Sequence, residues 1–568
     1  MLAAAAANLR AEIGAATPLA RIDADVFGLW LDAPREAGEK LAHDHVVREL
    51  HRVPPWTGTS IRLSFSPTAA ADAAHARAIS LVVIDAATGP SGIASTGAAD
   101  ITLTGIASSS SDIYISNSTA SSFANIIGGA SATGAITFNA NLINTGTLTP
   151  TIQTSGDIVF KPRTNSTAIG ISGGGGTLQL TDSFLAGLRP DVDGNGIGSL
   201  IIGDSTAGTG TVQISGWDFS NRTYDIEVYG GTIDLTGGPI TWNGGNDLTL
   251  YSRTGDFVID QNLTRNAGTA GDGILTIKAA GNITSSGTRT VSAASGATSG
   301  KLHTILWSDA DNSGAGAISF GGGGGGSITT NGGDFVAAGG LDDGAKNQIA
   351  NDGRPDNFAL GTTIGVYFHN HITTGSGNVF LAGKSLATTG NNNFGVYWLG
   401  DNGEKLTTTS GSITAYGQGG NAVDENYGIF LQSGGGFYTD TGAILLNGIG
   451  GNGNNTNNGI KLRTGSEIHS QGMNAGDVQL IGQGGGAVAV SGVRNESNIT
   501  LTDANLIIVA DSIALLAPVT TNRNVTIKPL TPGRVINVAG SSGGLDITTG
   551  ILGNINARSE ERRVGKEC

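Results

Sequence analysis

Two interlocked series of glycine-led segments constrain the fold of this chain more than any other feature. The first begins "GVYFH" at Gly365, "GVYWL" at Gly395, "GIFLQ" at Gly428 and "GIKLR" at Gly459, at steps of 30, 33 and 31 residues. The second begins "GNVFL" at Gly377, "GSITA" at Gly411, "GAILL" at Gly442 and "GDVQL" at Gly476, at steps of 34, 31 and 34. Two series sharing one period mark a supersecondary unit copied along the chain. After each glycine, apolar and polar residues alternate for about five positions, which is the pattern of a short half-buried strand entered through a turn. Related modules stand earlier, among them "GDIVF" at Gly156, "GTVQI" at Gly210, "GTIDL" at Gly231 and "GDFVI" at Gly255. A unit of two such strands cannot bury its apolar face alone, but stacked on its copies it can.

The expected fold is therefore all-β, a parallel β-helix or β-solenoid in which strands of one coil stack on those of the next. Inward positions are Ile, Val, Leu and Phe, as at Ile158 and Phe160 or Val478 and Leu480, and outward positions are Thr, Gln, Ser and Asp. A string of β-sandwich domains fits less well, since sandwiches do not repeat one glycine-led strand at so short a period. Composition agrees. The 92 glycines among 568 residues are hostile to helices, because each interior glycine costs about 0.5–1 kcal/mol against alanine. Asn-rich pieces such as "GGNGNNTNNG" at 450–459 suit corners, where Gly and Asn tolerate left-handed backbone.

The first 85 residues speak differently. Residues 1–80 hold only 4 of the 92 glycines but 5 of the 14 prolines and 4 of the 8 histidines. "REAGEKLAHDHVVRELHRVPP" reads as a short amphipathic helix with Leu41, Val47 and Leu50 on one side, stopped by Pro54 and Pro55. The expected organisation is thus an irregular or partly helical N-terminal segment over 1–85, β-helix repeats over 86–557, and a separate tail over 558–568. That tail, "RSEERRVGKEC", carries seven charges in eleven residues and the single cysteine, Cys568.

The net charge of −15 disfavours nucleic acid or an anionic membrane as partner. No run reaches the ~18 apolar residues of a membrane helix. "MLAAAAANLR" lacks the basic start and apolar stretch of a signal peptide, so export information is expected upstream of this chain.

Candidate chemistry is sparse. "FLAGKSL" at 380–386 resembles a phosphate loop, but Asn378 stands where the motif needs its first glycine, and a strand running into a turn explains it better. "GDST" at 203–206 contains a serine with no marked His or Asp partner. His369 and His371 fall on one side of a strand and could share a metal, although two surface histidines without a third ligand are ordinarily only that. His43 and His45 belong to the atypical N-terminal segment. Two acidic turns, Asp191-Asp193-Asn195 before Gly196 and Asp309-Asp311-Ser313 before Gly314, place alternate oxygens as Ca²⁺ prefers. The bidentate carboxylate expected at loop position twelve is missing, with Ile202 and Phe320 there instead, and such residues also make ordinary turns. Tyr397, Trp398, Phe437 and Tyr438 are expected in insertions outside the regular coils, as contact residues or as caps of the core. No catalytic residue, cofactor or metal ligand is assigned from sequence.

The stretches "ILWSDADNSGAGAISFGGGGGGSITTNGGDFVAAGG" (305–340) and "NRNVTIKPLTPGRVINVAG" (522–540) resemble filamentous-haemagglutinin-like exoproteins, the large bacterial adhesins of two-partner secretion. The resemblance covers roughly residues 100–557. It implies a right-handed parallel β-helix, passage through an outer-membrane transporter, an extracellular or cell-surface location, and attachment or biofilm contacts with cell-surface glycans or proteins. That family begins with a signal peptide and a secretion domain bearing Asn-Pro motifs, and no proline here follows an asparagine. The chain is therefore expected to be an interior piece of a longer exoprotein, with residues 1–85 a miscalled or frame-shifted start. The tail resembles the translation of a common short-read sequencing adapter, which would make 558–568 non-native. The alternative function is a β-helix that binds or degrades polysaccharide. Such an enzyme would gather carboxylates with Arg or Lys in one groove, whereas the acids here are scattered along the sequence.

Overall fold

The computed structural model describes residues 126–557 apart from 146–148, 190–197, 267–270, 294–299, 322–324, 487–489 and 541–543. Before residue 126 it describes residues 98, 100–105 and 112–116 and the strands Leu19–Asp23, Val26–Leu29, Ser60–Leu63, Val82–Asp85 and Gly92–Ala94. The expected helix at 35–55, the turn Asp191-Asp193-Asn195 and the tail 558–568 lie outside the described residues. The chain forms two units, residues 1–217 with 223–231 and residues 218–222 with 232–568.

In the second unit each coil carries three strands. Ile364–Phe368, Asn370–Gly375 and Val379–Ser385 follow one another, and the next coil repeats them as Phe394–Leu399, Lys405–Thr408 and Ile413–Gln418. Each strand pairs parallel and in register with its counterpart, Phe368 beside Trp398, Ile372 beside Leu406 and Val379 beside Ile413. The stacks make three sheets, and the fold is a parallel β-helix. The two glycine-led series are the strands of the first and third sheets. The middle strand, on the second sheet, is one more than the glycines announce.

The core follows from parity. Val478 and Leu480 are fully buried, and in the first unit so are Ile158 and Phe160, as the alternation predicts. Rings stack from coil to coil, Phe138 on Phe160 at 4.9 Å in the first unit and Phe368 on Trp398 at 5.4 Å in the second. The first unit is built the same way. Ile136–Asn139, Ile158–Lys161 and Ser199–Ile202 stack in parallel, and the short helix Asp182–Leu185, capped by Thr181, fills one connection.

Hydrogen bonds at the corners explain the sequence module. In the second unit a buried threonine stands at or one residue before the end of the second-sheet strand and its hydroxyl donates to the glycine carbonyl three residues on, Thr374 to Gly377 and Thr408 to Gly411, both at 2.7 Å. That glycine is required by close approach, because a side-chain carbon at Gly377, Gly411 or Gly442 would overlap the carbonyl oxygen of Gly333, Gly377 or Gly411 one coil before. The residue after the glycine links the coils. Asp334 Oδ1 accepts from the Asn378 N–H at 2.9 Å, and Asn378 Oδ1 accepts from the Ser412 N–H at 2.9 Å. At another corner, buried Asn393 donates through Nδ2 to Asn426 Oδ1, and Asn426 Nδ2 to Asn457 Oδ1, each at 2.9 Å. This ladder satisfies both polar atoms of the buried Asn426 side chain, which burial would otherwise penalise.

Among the described residues of the second unit, an insertion and the last strands depart from the regular coil. Residues 340–358 form an insertion over the outer side of the third sheet, where Trp307 and Phe358 pack on buried Ile305, Val336, Ala338 and Ala382. Arg354 anchors it to Asp334 at 2.8 Å. Near the end, Ile536–Val538 and Leu545–Ile547 pair with each other in a separate two-stranded sheet, and Ile555–Ala557 extends the second sheet beside Val519–Thr521.

Candidate functional site

Outward residues at one strand position recur every coil, so a repeated sequence writes columns on the surface. On the first sheet of the second unit the register aligns Tyr367, Tyr397 and Phe430, followed by Lys461 and Arg494. The rings stack, Tyr367 on Tyr397 at 5.1 Å and Tyr397 on Phe430 at 5.3 Å. A second column runs alongside, with Phe394 parallel to Tyr427 at 5.3 Å and also 5.0 Å from Phe430. Lys461 closes one end, its ammonium 4.9 Å from the Tyr427 ring and 3.1 Å from that phenol oxygen. Phe394, Tyr427 and Phe430 are buried by one another, while Tyr367 and Tyr397 remain half-exposed. Burial pushes the Tyr397 phenol up to about 12, with the neighbouring Tyr367 and the Asp401 charge acting the same way and Arg463 opposing. Burial likewise raises Tyr367, helped by Asp401 and Glu404. Both phenols are neutral donors at ordinary pH.

The outer side of the second sheet is a row of hydroxyls. Thr264, Ser292, Thr329, Thr373 and Thr407 align coil by coil, then Tyr438 and His469, then Thr500 and Thr520. The two surfaces together give aromatic faces and hydrogen-bonding hydroxyls at a fixed repeat.

The four aromatic residues singled out from sequence are not in insertions. Tyr397 and Trp398 lie in the strand Phe394–Leu399, and Phe437 and Tyr438 in Gly436–Thr439. Parity divides them. Trp398 and Phe437 point inward, have no exposure, and meet edge-to-face at 5.5 Å. Tyr438 lies on the second-sheet surface beneath the Lys405 ammonium, 4.2 Å from its ring centre, with its hydroxyl donating to Glu467. Only Tyr397 joins the aromatic columns. Tyr367, Phe394, Tyr427 and Phe430 were missed, although the aligned third letters of "GVYFH", "GVYWL" and "GIFLQ" mark three members of one column.

The remaining candidates resolve individually. His369 and His371 are not a pair, because a corner at residue 369 interrupts the alternation. His369 is buried against Asp401, and His371 is exposed. Lys384 of "FLAGKSL" sits within the strand Val379–Ser385, as a strand reading requires. In "GDST", burial alone would raise the Asp204 carboxyl. Lys161 at 2.8 Å, the Thr206 N–H and hydroxyl and the Ala207 N–H outweigh that and hold it well below the usual range, so it serves a turn. Asp309 also ties a turn, its Oδ1 accepting from the N–H groups of Gly314 at 2.9 Å and Ala315 at 3.3 Å and from the Ser313 hydroxyl at 3.3 Å. These bonds make Asp309 part of the turn itself. Among the described residues no helix is long and apolar enough to cross a membrane. No protein-family model, curated protein or solved structure matches this chain.

Proposed function

We propose that the chain is an adhesin-like β-helix of a bacterial surface or secreted exoprotein, attaching to cell-surface glycans or proteins through the aromatic columns of its first sheet. The observation that carries this reading is the register of Tyr367, Tyr397 and Phe430 on consecutive coils, the two tyrosines half-buried at the surface and held by buried Phe430, Phe394 and Tyr427. Rings fixed by their strand lose little entropy on binding and offer an apolar face with a polar rim, the usual make-up of a contact hot spot. A repeat at the coil spacing also suits ligands that are themselves repetitive. Delivery through an outer-membrane transporter belongs to this proposal.

The alternative, a β-helix that binds or degrades polysaccharide, shares the aromatic face but needs a groove where acids and bases converge. In the second unit the Arg354–Asp334 pair stands several coils before Arg494–Glu496 and Arg523–Asp503, which favours attachment.

The test couples the purified chain to beads and measures retention on glycan arrays and on films of matrix protein. Replacing Tyr367 and Tyr397 together with serine should lower retention about tenfold per folded molecule. Trp398→Phe, an inward change, should alter stability without altering retention. Unchanged retention in the serine variant would sink the proposal, and release of new sugar ends from a soluble polysaccharide would favour the alternative.

A further inference from the structure

The corner between the first and second sheets differs from coil to coil in the second unit. After Ile364–Phe368 the chain turns at His369 alone, while after Phe394–Leu399 it needs residues 400–404, "GDNGE". Stacking sets the longer corner directly on the shorter one, and the extra residues bring two carboxylates to the His369 ring. His369 Nε2, a carboxylate oxygen of Asp401 and one of Glu404 all lie within 4.8 Å of one another. Nε2 contacts Asp401 Oδ1 directly and stands 3.6 Å from Glu404 Oε1.

Glu404 is the anomalous member. It is fully buried, and its Oε1 has no hydrogen-bond partner. The other oxygen, Oε2, accepts from the Asn402 N–H at 3.0 Å, and the Glu404 carbonyl accepts from Trp398 Nε1 at 3.1 Å. The first bond holds the side chain with Oε1 towards the imidazole, and the second holds the backbone that carries it. A carboxylate oxygen withdrawn from water without a donor is unfavourable unless a cation meets it. One imidazolium would balance only one of the two carboxylates. Room for the ring is also built in, since a side-chain carbon at Gly321 on the coil before would strike the His369 Cβ.

We infer that His369, Asp401 and Glu404 form a binding site for a divalent transition-metal ion, Zn²⁺ foremost, which ties two consecutive coils together. One imidazole nitrogen and two carboxylate oxygens are a zinc-type donor set, and a small rotation of each side chain lets all three reach ligand distance of one ion. Two carboxylates with a neutral imidazole match the charge of a divalent ion. Ca²⁺ wants six to eight oxygens, which this corner does not offer. The Asp401 side chain is 53 % exposed, so an ion enters from that side and keeps a position there for water or an anionic group of a partner. The bonds to Glu404 from Asn402 and Trp398 act as the supporting layer that orients a ligand. This inference is independent of the attachment proposal, since it concerns an ion and not a surface partner.

The experiment uses the full chain with Cys568→Ser, which removes the only thiol that could compete for zinc. The protein is freed of metal with a chelator, and Zn²⁺, Mn²⁺ and Ca²⁺ are titrated calorimetrically, with unfolding midpoints followed in parallel. One Zn²⁺ per chain should bind and raise the midpoint, Ca²⁺ should do neither, and Co²⁺ should give the visible absorption of a four-coordinate site. Glu404→Gln and His369→Gln should each weaken zinc at least about tenfold, while His371→Gln changes nothing. The proposal is overturned if the starting protein binds no stoichiometric zinc, or if the Glu404→Gln and His369→Gln variants bind it as well. It is equally overturned if Glu404→Gln changes stability by the same amount with and without zinc, since the corner would then be an ion pair alone.

Discussion

The Thr408 hydroxyl lies where a second-sheet strand ends, 1 % exposed, and donates to the Gly411 carbonyl at 2.7 Å. Three residues of backbone thus turn a corner with one side chain supplying the bond that the ladder no longer can, and Thr374 with Gly377 repeats the arrangement. Isosteric Thr408→Val keeps the volume but leaves that buried carbonyl without its donor, which should destabilise the protein by about 1–3 kcal/mol. Chemical denaturation of the variant checks this, and a change within error would mean that water reaches the corner. Gly411→Ala should cost more, because its new carbon would overlap the Gly377 carbonyl oxygen. The glycine was plain in the sequence, and so was the small or polar residue after it. What could not be read was why they stood there, since the threonine three residues before belongs to a strand without a leading glycine of fixed spacing. "ITT", "LTT", "FYT" and "IHS" at 372, 406, 437 and 468 form that column, and their mixed polarity hides a strand that contributes one large inward residue per coil.

At the scale of elements, parity decided what the sequence showed and what it concealed. Alternation assigned Ile158, Phe160, Val478 and Leu480 inward, and all four are fully buried. It also had the means to separate Tyr397 from Trp398, adjacent residues that must face opposite ways, yet aromatic character alone suggested a common role outside the coils. The His369 corner defeated the same rule in the other direction, since one residue of turn sends His369 and His371 to different surroundings. Contacts between coils, such as His369 with Asp401 or Tyr367 with Tyr397, depend on register, which emerges only when whole coils are stacked. The buried phenols carry a pH signature. Burial, above all, raises Tyr397 to about 12 and pushes Tyr427 and Tyr438 well above their ordinary value. A phenol whose folded value is raised contributes stability that is complete below its unfolded value of about 10 and is lost as pH climbs through the folded one. The unfolding midpoint should accordingly hold up to about pH 10 and fall between there and about pH 12. Tyrosinate absorbance should appear together with loss of β-sheet circular dichroism. Ionisation of these phenols at ordinary values in a still-folded protein would show that their surroundings are open to water.

For the whole molecule, stacking makes stability a matter of neighbours. In the second unit each strand pairs only with the coil before and the coil after, so most of a coil's free energy is exchanged across two interfaces. Phe368 illustrates the consequence. It is fully buried, with its ring 5.9 Å from Phe320 one coil earlier, 5.4 Å from Trp398 one coil later, and 5.7 Å from Phe335 across the core. Phe368→Ala removes contacts in three coils at once and should cost about 3–5 kcal/mol where the damage falls. A globular core would spread that loss through one cooperative transition, whereas a stack confines it. Native-state hydrogen exchange of the variant should therefore lose protection in Ile318–Phe320, Ile364–Phe368 and Phe394–Leu399 while Leu506–Ala510, several coils away in the same unit, stays protected. Equal loss at Leu506–Ala510 would mean that the unit unfolds as one body and that coil interfaces are stronger than coil interiors. Confined loss would instead place the weakest interface beside the substituted coil, and it would bear on the zinc site as well. His369 follows Phe368 directly and Asp401 and Glu404 stand at the matching corner of the next coil, so an ion bound there should restore protection in the two strands it joins and leave Ile318–Phe320 unprotected.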